Sequence, residues 1–202
     1  MKTTLTNLTS RFLGEPAEVR SPRFIQWLTH SKIAAVVWSG ARIWLGVMWL
    51  QAGVAKLWGA ENPAFLHNNG IGVAGFAKAG AASYSWWASF LHSFVVPNAG
   101  WIGIFVSLAE FAAGAALALG VLTPAAALGA LVLNLTYMLS GTAGVNPVYA
   151  IVAVILLATW RTSGFIGVDG LIQGFWQNRK EARAQVGLRE DAAGTATAPQ
   201  AA

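Results

Sequence analysis

The stretch Ile33–Lys56, IAAVVWSGARIWLGVMWLQAGVAK, decides the fold. At 1.5 Å per residue it is long enough to cross a hydrocarbon core of ~30 Å, yet it carries Arg42 inside it and Lys56 at its end. A charge held in hydrocarbon costs at least ~2.5–3.5 kcal/mol, so such a residue faces a bundle interior and finds a partner there. Arg42, Gly46, Trp49, Gly53 and Lys56 recur at alternating spacings of four and three, which puts them on one stripe of a helix. That stripe faces protein.

Working outward, Trp101–Leu119 repeats the rhythm with Gly103, Ser107, Glu110 and Gly114, and Ala125–Ser140 repeats it with Ala127, Ala130, Asn134, Tyr137 and Gly141. Small residues let membrane helices approach closely, and the few polar ones among them hydrogen-bond across the contact. A fourth run, Val148–Trp160, is too short to cross alone and must borrow Gly141–Pro147 on one side or Thr162–Ile166 on the other. The expectation is an all-α integral membrane four-helix bundle over residues 33–172.

Composition agrees: 55% of the 202 residues are hydrophobic and 10% charged, far from a soluble protein. The net charge of +5 does not point to nucleic acid, because the positives gather in the two tails, at Lys2, Arg11, Arg20, Arg23 and Lys32, then at Arg161, Arg179, Lys180, Arg183 and Arg189. The positive-inside rule then places both termini in the cytoplasm, with four crossings of the cytoplasmic (inner) membrane. The absence of Cys excludes thiol redox chemistry, iron–sulfur clusters and covalently attached c-type haem in this chain. No cleaved signal peptide is expected, since the first apolar run follows a long charged lead.

Residues 1–32 form a cytoplasmic N-terminal segment, in which Pro22–Thr29 either lies on the inner surface by Phe24, Ile25, Trp27 and Leu28 or belongs to a loosely ordered tail. Residues 57–100 form a long extracytoplasmic segment between the first two helices, with a short helix over Tyr84–Val96 at the outer leaflet. Residues 173–202 are expected to be a cytoplasmic, largely disordered tail.

Counting from the helix ends puts Glu110 near the bilayer centre and Arg42 less than a turn away, which suggests a buried Arg42–Glu110 pair. Such a pair either fixes helix register or leaves Glu110 to pass a proton. A quinone site would set that carboxylate beside a donor such as Tyr137 or Asn134. Lys56 is expected at the outer surface, about a membrane half-thickness from Glu110, where His67, Lys78, His92 and Asn98 gather around a small anion; alternatively it snorkels to the headgroups. The histidines lack metal-ligand spacing and none lies in a span, so neither metal nor b-type haem is indicated, and no flavin motif occurs.

The same residues carry a resemblance. Arg42-Ile-Trp-Leu-Gly46 leading into Gly53-Val-Ala-Lys56, then Leu108-Ala-Glu110 with Gly114, the turn Leu117-Ala-Leu-Gly120-Val-Leu-Thr-Pro124, and Gly167-Val-Asp169-Gly170 resemble the DoxX/DoxD family of four-helix membrane proteins over about Trp38–Leu171. The long segment ending Val96-Pro97-Asn98 is similar to the DoxD branch, large subunits of thiosulfate:quinone oxidoreductase. The resemblance implies oxidation of thiosulfate to tetrathionate on the outer face, with electrons passed to membrane quinone. It carries Arg42, Lys56, Glu110 and Asp169 as pattern residues; His92, Asn98, Asn134 and Tyr137 are added from their placement. It also implies a small second subunit or other redox protein as partner, and the sequence leaves a homo-oligomer open.

Two function classes follow. One is an enzyme subunit with catalytic Glu110 and Arg42, quinone at Tyr137 and Asn134, and substrate at Lys56, His92 and Asn98. The other is a non-catalytic membrane scaffold of a redox or oxidative-stress complex. A transporter is disfavoured by the lack of an inverted repeat.

Overall fold

A computed structural model describes residues 22–79 and 84–196. The expectations for residues 1–21 and 197–202 lie outside the described residues. All described secondary structure is helical. Helix α1 (Arg23–His30) is amphipathic, with Phe24, Ile25 and Trp27 exposed. It gives way at Ser31, whose side chain accepts a hydrogen bond from Ala34 N (3.0 Å) and caps α2 (Lys32–Leu57). After the connection come α5 (Ala99–Leu119), α6 (Thr123–Leu139) and α7 (Asn146–Ala158), the last two opening on Pro124 and Pro147 in their first turns. Two of these, α2 and α5, are long and apolar enough to cross a membrane; α6 and α7 are apolar but shorter.

Helix α2 packs on α5, α5 on α6, α6 on α7, and α7 returns to α2. Leu45, Trp49, Leu117, Ala127, Ala130, Ala153 and Leu156 form the buried core between them. Glycine sets the α2–α5 distance: a Cβ at Gly46 would strike the backbone of Gly114 and Ala118, and one at Gly53 the backbone of Phe111. These two contacts also fix an antiparallel register, in which α2 ends near the middle of α5.

The first half of α5 therefore extends past α2, and the connecting residues fill that space. They form a π-helical turn at Pro63–His67, α3 (Ile71–Ala79), α4 (Ser85–Phe90) and a second π-helical turn at Leu91–Val95. The first π-turn and α3 pack directly on α5, close enough that a Cβ at Gly103 would meet Phe65 O and one at Gly70 would meet Ala99 O. The connection thus packs on the first half of α5.

At the other end, where Lys32 and Arg161 line one cavity, α7 breaks at Thr159, a one-turn helix α8 (Trp160–Ser163) follows, and α9 runs over Val168–Ala196. The helix stands where a disordered tail was expected from residue 173. Residues 177–196 hold Ala, Arg, Lys, Glu and Gln in quantity and no Pro, a composition that favours helix without a packed face.

Candidate functional site

Lys56 sits in the last turn of α2, Glu110 near the middle of α5 and Tyr137 in the last turn of α6. The offset of α2 brings all three to one level. Lys56 Nζ lies 2.9 Å from Glu110 Oε2 and 3.5 Å from Glu61 Oε2, and the Tyr137 hydroxyl donates to Glu110 Oε1 at 2.5 Å. The Glu110 side chain is 2% exposed, that of Lys56 13% and that of Glu61 51%, so the chain of polar groups descends from the surface into the interior. Phe65 from the first π-turn covers the ammonium, its ring centroid 5.1 Å away. Trp49 and Phe76 flank the Tyr137 ring at 6.2 and 5.9 Å.

These groups form the polar end of a cavity of about 300 Å³ whose remaining walls are almost wholly apolar. Val73, Phe76 and Ala77 of α3, Trp87 and Phe90 of α4, Leu91 and Val95 of the second π-turn, and Ile102 and Val106 of α5 supply them. Trp87 Nε1 donates to Ser140 Oγ at 3.0 Å and ties α4 to the end of α6. The volume lies at the low end for ligand pockets, enough for one ring and the start of an apolar chain. With two carboxylates and one ammonium the polar end carries a formal charge of −1. A ligand oxygen there can accept from the third Lys56 proton, and a ligand hydroxyl can donate to Glu110.

Arg42 does not pair with Glu110. Arg42 and Lys56 are fourteen positions apart on α2, about 21 Å along the axis, and only Lys56 reaches the carboxylate. Counting each helix from its own end took α2 and α5 to be level, whereas their glycine contacts offset them. The buried Arg42 guanidinium instead collects carbonyls at the basic end: Nε donates to Ser163 O (2.9 Å), Nη2 to Ile166 O (2.6 Å) and Nη1 to Leu117 O. It closes the C-terminus of α5 and the turn after α8, where orphan carbonyls need donors. Gly120, at φ 69°, leaves room for it: a Cβ there would collide with the guanidinium.

Asp169 belongs to the same end. Its carboxylate accepts from Leu122 N (2.8 Å) and Thr123 N (2.7 Å), and its own amide donates to Gly120 O (2.8 Å). It is a cap for α6 supplied from the start of α9.

Asn134 is fully buried one turn from Tyr137, its Nδ2 donating to Ala130 O at 2.9 Å, and it does not line the cavity. His67, Lys78, His92 and Asn98 do not line it either. The Asn98 side chain donates to Phe94 O and accepts from Trp101 Nε1. Lys56 and Glu110, expected a half-thickness apart, are in contact, so two anticipated sites become one. Glu61 was not singled out. Its place in the turn directly after Lys56 was the available signal.

The DoxX family model matches residues 37–143, a span that contains Lys56, Glu110 and Tyr137. No curated protein matches the chain, and no solved structure does.

Proposed function

From the premise that the chain belongs to the DoxX family, and so is a membrane protein of that type, we propose that it is the membrane subunit of a quinone-linked oxidoreductase, a four-helix bundle of the cytoplasmic (inner) membrane with both termini inside. The observation that carries this reading is the Lys56–Glu110–Tyr137 cluster at the end of an otherwise apolar cavity. A lipid-soluble ring with oxygen substituents matches that division. Quinone, when bound, takes up two electrons and two protons and leaves as quinol. Lys56 would hold a ring oxygen by its third ammonium proton, the Tyr137 hydroxyl and the Glu110 carboxylate that accepts from it would relay protons toward the ring, and the aromatic walls would exclude water.

The resemblance to the DoxD branch names thiosulfate as donor, two dianions losing one electron each to give tetrathionate. Lys56 gives that dianion little support, since two carboxylates already neutralise it and the local charge is negative. The oxidation half is therefore assigned to a partner subunit, and this chain to the quinone half.

Binding of a short-chain quinone to the purified protein should quench tryptophan fluorescence saturably, with Trp87→Phe removing the largest share. Glu110→Gln and Tyr137→Phe should weaken binding about tenfold or more. If binding is not saturable in wild type, the scaffold reading stands instead.

A further inference from the structure

A second cavity, of about 350 Å³, lies at the basic end, away from Glu110. It exists because α1 is fastened back onto the bundle: Trp38 Nε1 donates to Leu28 O at 3.1 Å and Thr162 Oγ1 donates to Thr29 O at 2.5 Å. The space left between the end of α1, the start of α2 and α8 is lined by Lys32, Arg161, Ser31 and Thr162, with Phe165 at its rim. No carboxylate lines it, and among the described residues neither Lys32 nor Arg161 has one within ion-pair distance. The N-terminus of α2 adds the positive end of a helix dipole. Three sources of positive potential thus converge on a cavity with no negative group of its own.

Its surroundings are the opposite in character. Ile33 and Val36 on α2, Phe165 and Ile166 after α8, and Phe24 and Trp27 on α1 are all exposed. The Arg161 guanidinium stacks 5.2 Å from the Trp160 ring, an amphipathic pairing suited to headgroup depth. A ligand for this place needs an anionic head and an apolar body.

We propose that the cavity binds the phosphate of an anionic phospholipid, held between Lys32 and Arg161 with its acyl chains along the exposed apolar flank. Arg161 offers a planar pair of donors to the phosphate oxygens, and Lys32 adds a point charge. Ser31 Oγ, which already accepts from Ala34 N, keeps its own proton to donate.

Native mass spectrometry of the full chain, incubated in detergent with equal phosphatidylglycerol and phosphatidylcholine, tests this. Wild type and Arg161→Lys should retain phosphatidylglycerol, and Lys32→Gln/Arg161→Gln should lose the preference about 30-fold, two basic contacts at about fivefold each. Should the double variant fail to fold, Arg161→Gln against Arg161→Lys gives the same comparison. Equal retention by the variant and wild type overturns the proposal. So does displacement of the lipid by millimolar inorganic phosphate, which would mark a free-anion site.

Discussion

The Lys56 ammonium meets Glu110 Oε2 at 2.9 Å because α2 stops beside the middle of α5 rather than at its far end. Gly53, whose missing side chain lets the Phe111 backbone approach, sets that stop. The pair is buried and has a third member, Glu61, half-exposed on the other side of the ammonium. This asymmetry gives the two charges unequal insurance.

Removing Lys56 leaves Glu110 without a cation, whereas removing Glu110 leaves Lys56 with Glu61. Lys56→Met should therefore cost ~3–5 kcal/mol, the usual penalty for an uncompensated buried charge, and Glu110→Leu clearly less. The double substitution should recover most of the loss. Unfolding in detergent reads all three, and a larger loss for Glu110→Leu would show that Glu61 does not share the cation.

Tyr137→Phe deletes the one hydroxyl that donates to Glu110 Oε1 while leaving the ring between Trp49 and Phe76. A hydrogen bond to a charged group contributes ~1.5–3 kcal/mol, so the melting midpoint should fall with no change in helix content. Quinone affinity should fall with it, as read by Trp87 quenching. Unchanged stability would mean that Glu110 finds another donor.

Arg42 was expected at the chemistry and belongs to the architecture. Arg42→Lys cannot reproduce three donors spread over Ser163, Ile166 and Leu117 carbonyls, so it should destabilise by ~3 kcal/mol or more while quinone binding per folded molecule stays intact. Lost binding with full stability would return Arg42 to the site.

Leu122, the residue before α6, has φ 48°, a left-handed conformation that costs a non-glycine residue ~1–2 kcal/mol. Leu122→Gly should raise stability by ~0.5–1 kcal/mol, because the entropy glycine gains in the unfolded chain offsets part of the relief. Asp169→Ala, which strips the Leu122 and Thr123 amides of their acceptor, should lower it by ~1–2 kcal/mol. Chemical denaturation of both variants is sufficient, and a stabilising Asp169→Ala would contradict the cap.

The α2 and α5 spans were legible because apolar length and stripe periodicity are local properties, and residues 42–56 and 103–114 carry them plainly. The register between the helices was not. It depends on which small residues face each other, and Gly46 opposite Gly114 with Gly53 opposite Phe111 is a pairing that neither stripe specifies alone. Once it is known, Lys56 follows as the partner of Glu110 and Arg42 cannot be. Tyr137 was legible as a hydrogen-bond donor on the interior stripe it shares with Asn134, and its hydroxyl donates to Glu110. His92 and Asn98 were drawn in by position within the connection. Their own surroundings, an exposed face and a local Asn98–Trp101 hydrogen bond, were invisible without the fold.

The carbonyls of Ser163 and Ile166 and the carboxylate of Asp169 all come from beyond residue 143, where the family match ends. The smallest piece of this chain able to stand alone is therefore longer than the region by which it is recognised. A chain cut at 143 would keep every residue of the Lys56–Glu110–Tyr137 cavity and yet take two of three carbonyls from the Arg42 guanidinium and leave α6 without its cap. Swapping segments between relatives will succeed only if residues 160–170 travel with α2, as the lock travels with its key.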